Sequence, residues 1–126
     1  MIVSRLRWCI AGAVLASLVL AAASQRPALA HSILTESHPA ARASVPPGET
    51  SIALRYNNRI DRSRSRLSLV HPDRRQEILP LDSTTAEDAL AASAVLAPGA
   101  HVLRWQVLSI DGHIVRGEVP FTVRAR

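Results

Sequence analysis

From residue 32 onward, apolar and polar residues alternate, and proline, glycine and asparagine interrupt the alternation at short intervals. A period of two marks strands that bury one face. Ser32 to Glu36 reads as a short first strand, ended by Pro39. Pro46-Pro47-Gly48 turns the chain into Ile52, Leu54 and Tyr56, which alternate with Ala53 and Arg55. Asn57-Asn58 favours a turn or a bulge. Leu67 and Leu69 then alternate with Arg66 and Ser68 until His71-Pro72-Asp73 turns the chain again. Ile78 to Leu81 reads as a weak strand. Thr84 to Leu96 is alanine-rich and open to a helical reading, but its apolar spacing is poor, and Ala94 to Leu96 reads as a strand entering the Pro98-Gly99 turn. The clearest strand is His101 to Ser109, with Leu103, Trp105 and Val107 on one face. Glu118 to Val123 is the last, with Val119, Phe121 and Val123 inward. Its Pro120 points outward and has no amide donor, which predicts a sheet edge there.

About seven short strands, separated by turns every 8–12 residues, predict an all-β domain. The expected architecture is a single small Greek-key β-sandwich or barrel of immunoglobulin-like type. Trp105 is expected to anchor its core. His71 reads as a turn residue and His101 as an outward position at a strand start, and neither is assigned a role.

The first 30 residues have a different pattern. Arg5 and Arg7 form a positive start, Cys9 to Ala23 is an apolar run, and Ala28-Leu29-Ala30 offers small residues at the −3 and −1 positions of a cut site. These are the three parts of a secretory signal peptide, and the apolar run is short of the roughly 20 residues that span a bilayer. The expected organisation is a signal peptide over 1–30, cleaved after Ala30, and one domain over 31–126. That domain has room for a single core and no more.

Cleavage changes the composition. The only cysteine, Cys9, and the only methionine, Met1, leave with the leader. The exported domain then has no disulfide and must be held by packing. It also has no thiolate or thioether for a soft ion such as Cu(I), leaving imidazole, amine, carboxylate and amide, which suit Cu(II), Ni(II) or Zn(II). Formal charge falls from +5 for the whole chain to +2, with 12 arginines against 10 carboxylates and no lysine. Arg59, Arg62, Arg64 and Arg66 form an arginine run that reads chiefly as a solvated loop and strand face. No aromatic residue interleaves with it, which argues against nucleic-acid binding by stacking.

The candidate chemistry lies at the cut site and at a late loop. Cleavage after Ala30 makes His31 the first residue, and a terminal histidine offers a metal both its α-amine and its ring nitrogen. Asp111-Gly112-His113 adds a carboxylate and a second imidazole two positions apart. Side chains two apart on a strand point the same way, so Asp111 and His113 reach one ion if this stretch is extended. Gly112 between them permits an unusual backbone angle. Three nitrogens and an oxygen in a tetragonal arrangement suit Cu(II), which heads the stability order of the divalent ions.

The mature chain resembles the CopC family of copper-resistance proteins, small β-sandwiches of the bacterial periplasm. The likeness runs over nearly all of 31–126. His31 follows the cut site directly, and Ser37-His38-Pro39-Ala40 is similar to the family's Ser/Thr-x-Pro-Ala turn. Leu54-Arg55-Tyr56-Asn57-Asn58 is similar to its Leu-x-Phe-Ser-Glu strand end. Trp105 to His113 resembles its Trp-x-x-x-Ser-x-Asp-x-His signature, followed by Gly117-x-Val119-x-Phe121-x-Val123. The resemblance implies one Cu(II) per chain on His31, Asp111 and His113, a role in copper homeostasis or resistance, and a CopD-like inner-membrane partner. Where some relatives carry a glutamate near the copper, this chain has Asn58. Their methionine-rich Cu(I) loop has no counterpart, so no Cu(I) methionine site is expected.

The implied protein is a non-enzymatic carrier or buffer. Two other readings stay open at this level. The amine-plus-two-imidazole brace also supports oxygen activation in copper-dependent oxidative enzymes, and an immunoglobulin-like module can serve adhesion or assembly with no metal. His38 beside the Pro39 turn is a candidate supporting group for the site.

Overall fold

The computed structural model describes residues 32–126, and these form eight strands with no helix. They are β1 (Leu34–His38), β2 (Ser44–Val45), β3 (Gly48–Tyr56), β4 (Ile60–Val70), β5 (Gln76–Ile78), β6 (Ala89–Leu96), β7 (Gly99–Ser109) and β8 (Ile114–Val123). One sheet has the order β1-β3-β6 and the other β2-β8-β7-β4-β5. All pairs are antiparallel except β2 with β8. The expected leader and His31 lie outside the described residues.

The two sheets close on one core. Ile52, Leu54 and Tyr56 come from β3, and Leu90, Ala94 and Leu96 from β6. Across from them lie Leu67 and Leu69 of β4, Leu103, Trp105 and Val107 of β7, and Val119, Phe121 and Val123 of β8. Outside β6 these are the alternate positions the pattern marks as inward. Each fully buried leucine contributes about 2 kcal/mol relative to exposure, and with no disulfide this burial carries the fold. Trp105 meets Tyr56 edge-on, ring centroids 5.3 Å apart. Burial holds the Tyr56 phenol well above its ordinary pKa, so it stays protonated.

Several details depart from the sequence pattern. The alanine-rich stretch is a strand, β6, which begins at Ala89 and pairs with β3 along its whole length, from Ala89↔Arg55 to Leu96↔Gly48. Leu90, Ala92, Ala94 and Leu96 face the core, while alanines on the other face hide the alternation. Alanine's helical preference gives way to the neighbouring strand. The weak strand forms earlier than expected, at Gln76–Ile78, where Ile78 is exposed and Leu79 buried. Pro120 does not lie on an edge strand, because β8 sits between β2 and β7. The β2 ladder reaches only Thr122 and Val123, however, so no strand partner needs a donor from the proline.

The arginine run is largely absorbed by a bulge. Between Asp61 and Arg66 the register of β4 shifts against β7. Ser65 fills the gap, its hydroxyl donating to the Asp61 carbonyl and accepting from the Leu108 amide. Arg62 donates to the carbonyls of Ser83, Thr85 and Ala86, tying the β5–β6 loop to β4. Arg59 pairs with Glu87 and Arg64 with Asp61, whose carboxyl is held below its usual range first by the Ser63 hydroxyl.

His101 is buried, contrary to its reading as an outward position; His71 opens the β4–β5 turn as expected, its carbonyl accepting from the Arg74 amide, and is buried as well. His101 shares the phase of Leu103, so alternation directs it inward. It stacks on Phe121 at 5.5 Å and meets the His71 ring edge-on at 5.6 Å. His71 reaches Glu77 through Nε2 at 2.8 Å. Burial first, and the His71 charge in addition, hold the His101 imidazole below its ordinary pKa, against a smaller opposing effect of the Gly99 carbonyl.

Two predictions follow from this packing. Gly117 lies under Trp105, and a Cβ there would fall 2.6 Å from Cε2 and 2.9 Å from Nε1 of the indole. Gly117→Ala should therefore cost about 1–3 kcal/mol of stability by overpacking, read as a lower midpoint of urea unfolding. The unfolded chain protonates His101 near 6.5, whereas the folded chain resists until lower pH. The wild type should then hold full stability above that value and lose it as pH falls below it. His101→Gln should flatten this part of the pH profile. An unchanged slope between pH 7 and 5 would show that His101 does not carry it.

Candidate metal centre

The site is built on the turn between β7 and β8. The core-facing row of β7 ends at Ser109, which is 2% exposed. Ile110 to His113 then reverse the chain. The Gly112 amide donates to the Ser109 carbonyl at 2.9 Å, and the Ser109 amide donates to the His113 carbonyl at 2.8 Å. Gly112 adopts φ +85, a left-handed angle that side chains disfavour, which is why glycine suits this position. Asp111 and His113 therefore meet across a tight hairpin turn, so the extended condition under which alternation alone would align them is not the one that holds.

Asp111 does two things in this turn. Its Oδ1 accepts from the His113 amide at 3.1 Å, and its Oδ2 lies 3.1 Å from His113 Nδ1. The first bond fixes the backbone and the second sets the imidazole against the carboxylate. The Asp111 side chain is 21% exposed and that of His113 68%, so the pair presents its imidazole outward. Carboxylate–imidazole pairs of this kind orient a histidine for metal binding and raise its basicity.

The start of the described chain is tied to the same end of the sandwich. Ser32, itself buried, donates its amide to the Ser109 hydroxyl at 3.1 Å. The next residue is clamped to the end of β3: the Ile33 amide donates to Asn57 Oδ1 at 2.7 Å, and the Asn57 amide donates to the Ile33 carbonyl at 3.0 Å. Ser109 and Asn57 are the functional residues that the sequence reading passed over. A signal for Ser109 was present, a small hydroxyl in phase with Leu103, Trp105 and Val107 where that row leaves the core. Asn57 gave only a turn signal, because nothing local tells which segment an asparagine amide will bond.

The other expected groups fall elsewhere. His31 lies outside the described residues. Asn58 is half-buried beside the Asn57 clamp. His38 sits at the far end of β1, six residues from Ser32 and roughly 20 Å away along an extended strand, opposite Ala53. It is too distant to support the turn. Among the described residues no three histidine, cysteine or acidic side chains are gathered for a metal. Asp111 and His113 are two donors brought together, not a complete set.

Removing the Ser109 hydroxyl should release the Ser32 amide. Ser109→Ala is expected to speed hydrogen exchange at Ser32 while leaving the core amides of β4 and β7 protected, with a global cost of about 1 kcal/mol. Asn57→Ala should do the same at Ile33. Unchanged exchange at both amides would mean that these bonds do not hold the segment.

The sequence model of the CopC domain matches residues 34–124. Protein YobA of Escherichia coli (strain K12) is 27% identical over 110 residues, covering 75% of this chain and 80% of YobA. Among solved structures, CopC from Methylosinus trichosporium OB3b is similar with a TM-score of 0.66 and 28% identity, over 75% of this chain and 94% of that one. PcoC, a methionine-rich copper resistance protein from Escherichia coli, shares the fold with a TM-score of 0.61 at 20% identity, over 75% of this chain and 100% of its own. With a domain match spanning most of its length, and the two-sheet sandwich and its β7–β8 turn in place, this chain belongs to the CopC family.

Proposed function

We propose that the exported chain is a periplasmic Cu(II)-binding protein of copper homeostasis and resistance. It acts without catalysis, as a carrier or buffer that hands copper to a CopD-like inner-membrane protein. The ligands are His31, through its α-amine and ring, with Asp111 and His113. The observation that carries this reading is the Ser32 amide on the Ser109 hydroxyl. Consecutive Cα atoms are about 3.8 Å apart, so whatever precedes Ser32 starts beside a turn whose Asp111 comes two residues after Ser109. Signal-peptide cleavage after Ala30 makes that residue a histidine with a free amine. The leader and the membership in the CopC family support the periplasmic location.

The donor chemistry fits the cargo. Nitrogen and oxygen donors with no sulfur anywhere in 31–126 favour Cu(II) over Cu(I). His113 is well exposed, so an ion held there can be loaded and surrendered at the surface. An oxidative enzyme is disfavoured by the aromatic residues: Tyr56, Trp105 and Phe121 are all buried in the core, leaving no aromatic platform for a substrate among the described residues. A metal-free module would leave the Asp111–His113 pair at the turn without a purpose.

The test uses the exported protein and one equivalent of Cu(II). Its EPR spectrum should be nitrogen-rich and tetragonal. One extra residue before His31, or His113→Ala, should each cost more than about 100-fold in affinity, beyond the 10–100-fold typical of groups that only support a ligand. His38→Ala should leave affinity unchanged. Equal binding by the native and extended chains would remove the α-amine from the site.

A further inference from the structure

The outer face of the five-stranded sheet, on the side away from the core, carries a second feature. Cross-strand register places Arg66 of β4, Gln106 of β7 and Arg116 of β8 in one row. The row beside it holds Ser68, Arg104 and Glu118, and it continues to Ile78 on the edge strand β5. These side chains line a shallow groove of about 390 Å³. Small Ser68 makes the depression, and the long arginines stand around it.

The charge of the groove is one-sided. Arg104 pairs with Glu118 at 2.9 Å, and both remain more than half exposed. Arg116 donates through Nε to Gln106 Oε1 at 2.8 Å, which fixes its fork but leaves its charge uncompensated. Arg66 makes no ion pair with any described residue. Three guanidinium groups thus face one carboxylate, in a domain whose overall excess is only +2. Of the four-arginine run in the sequence, Arg66 is the member that neither the bulge nor its loop consumes. Ile78, 65% exposed at the rim, adds an apolar contact next to the charges.

We infer that this face docks an acidic segment of a partner protein, with carboxylates on Arg66, Arg104 and Arg116 and an apolar side chain against Ile78. Guanidinium forks match carboxylates in bidentate geometry. A free inorganic anion would make no use of Ile78. A net +2 gives little long-range pull toward anionic lipid. Among the described residues no aromatic side chain is exposed for stacking with a nucleic acid. The groove reaches the open edge of the sheet at β5, so an extended segment can enter it from the side. This surface is independent of the copper reading, since none of its residues belongs to the β7–β8 turn.

The test is fluorescence polarisation with a labelled decapeptide of glutamate and aspartate containing one leucine, against its glutamine and asparagine counterpart. At low ionic strength the exported protein should bind the acidic peptide and not the neutral one, and added salt should weaken binding. The triple variant R66S/R104S/R116S should lose about 10-fold or more in affinity. R74S, which removes an exposed arginine from the β4–β5 turn, should bind as the native protein does. All four positions are exposed, and circular dichroism with thermal unfolding confirms that each variant is folded. Three results overturn the inference: no binding of the acidic peptide, equal binding by the triple variant, or loss of preference for the acidic peptide over the neutral one. Retention by phosphatidylglycerol vesicles with no peptide binding would assign the face to a membrane instead.

Discussion

The Ser109 hydroxyl joins the beginning of the sandwich to its late hairpin. It accepts the Ser32 amide across 77 positions of sequence, and it does so from the last inward position of β7, where the core row meets the turn. Its own backbone closes that turn by accepting from Gly112 and donating to His113. A single residue therefore sets the chain start and the Asp111–His113 pair in one place. In the proposed copper reading every ligand is within two residues of either Ser109 or Ser32, except His113, which its bonds to Ser109 and Asp111 hold. The precision of the site then comes from backbone hydrogen bonds of a hairpin, a stiffer support than a long loop would give.

Most of the architecture could be read from alternation because the inner faces are filled by large aliphatics. Leu54, Leu67, Leu69 and Leu103 are completely buried, and each has at least one polar neighbour, an arginine or serine, that fixes its phase. The reading failed where that contrast vanished. In β6 alanines occupy both faces, so the period cannot be seen until β3 supplies the pairing. His101 was misplaced for a different reason. Its polarity outweighed its phase, although a neutral imidazole packs well on Phe121 and its Nδ1 meets the Gly99 carbonyl. The candidate pair Asp111 and His113 was legible from residue type and spacing. Its geometry was not, because an Asp-Gly-His segment serves an extended strand or a tight turn equally, and only the Ile114–Val123 partner strand selects the turn.

The five histidines of the chain show how context, more than residue type, decides chemistry. His71 and His101 form a buried pair at the end of the sheet where β7 begins, one engaged by Glu77 and the other kept neutral by burial. His38 is exposed at the end of an edge strand remote from the turn. His113 alone among the described histidines combines exposure with a carboxylate fixed by the same turn that carries it. Counting imidazoles would suggest several metal sites, whereas their placement gathers two donors at one turn.

β1 is an edge strand of the smaller sheet, five residues long and nowhere fully buried. Its hold on the domain is one ladder with β3, interrupted by a bulge between Leu34 and Glu36, the packing of half-buried Leu34 on the core, the Thr35 hydroxyl on the Arg55 carbonyl, and the bonds of Ser32 and Ile33. A cargo ion shared between the residue before Ser32 and the β7–β8 turn would bridge the two sheets at the point where the protein itself supplies least. Such binding would order the chain start and leave the leucine core unaffected, because that core closes without it. The energetic coupling would then be local. A carrier benefits from that arrangement, since releasing the ion costs only the order of one edge strand while the rest of the sandwich, including the arginine face on the far side of its sheet, keeps its shape.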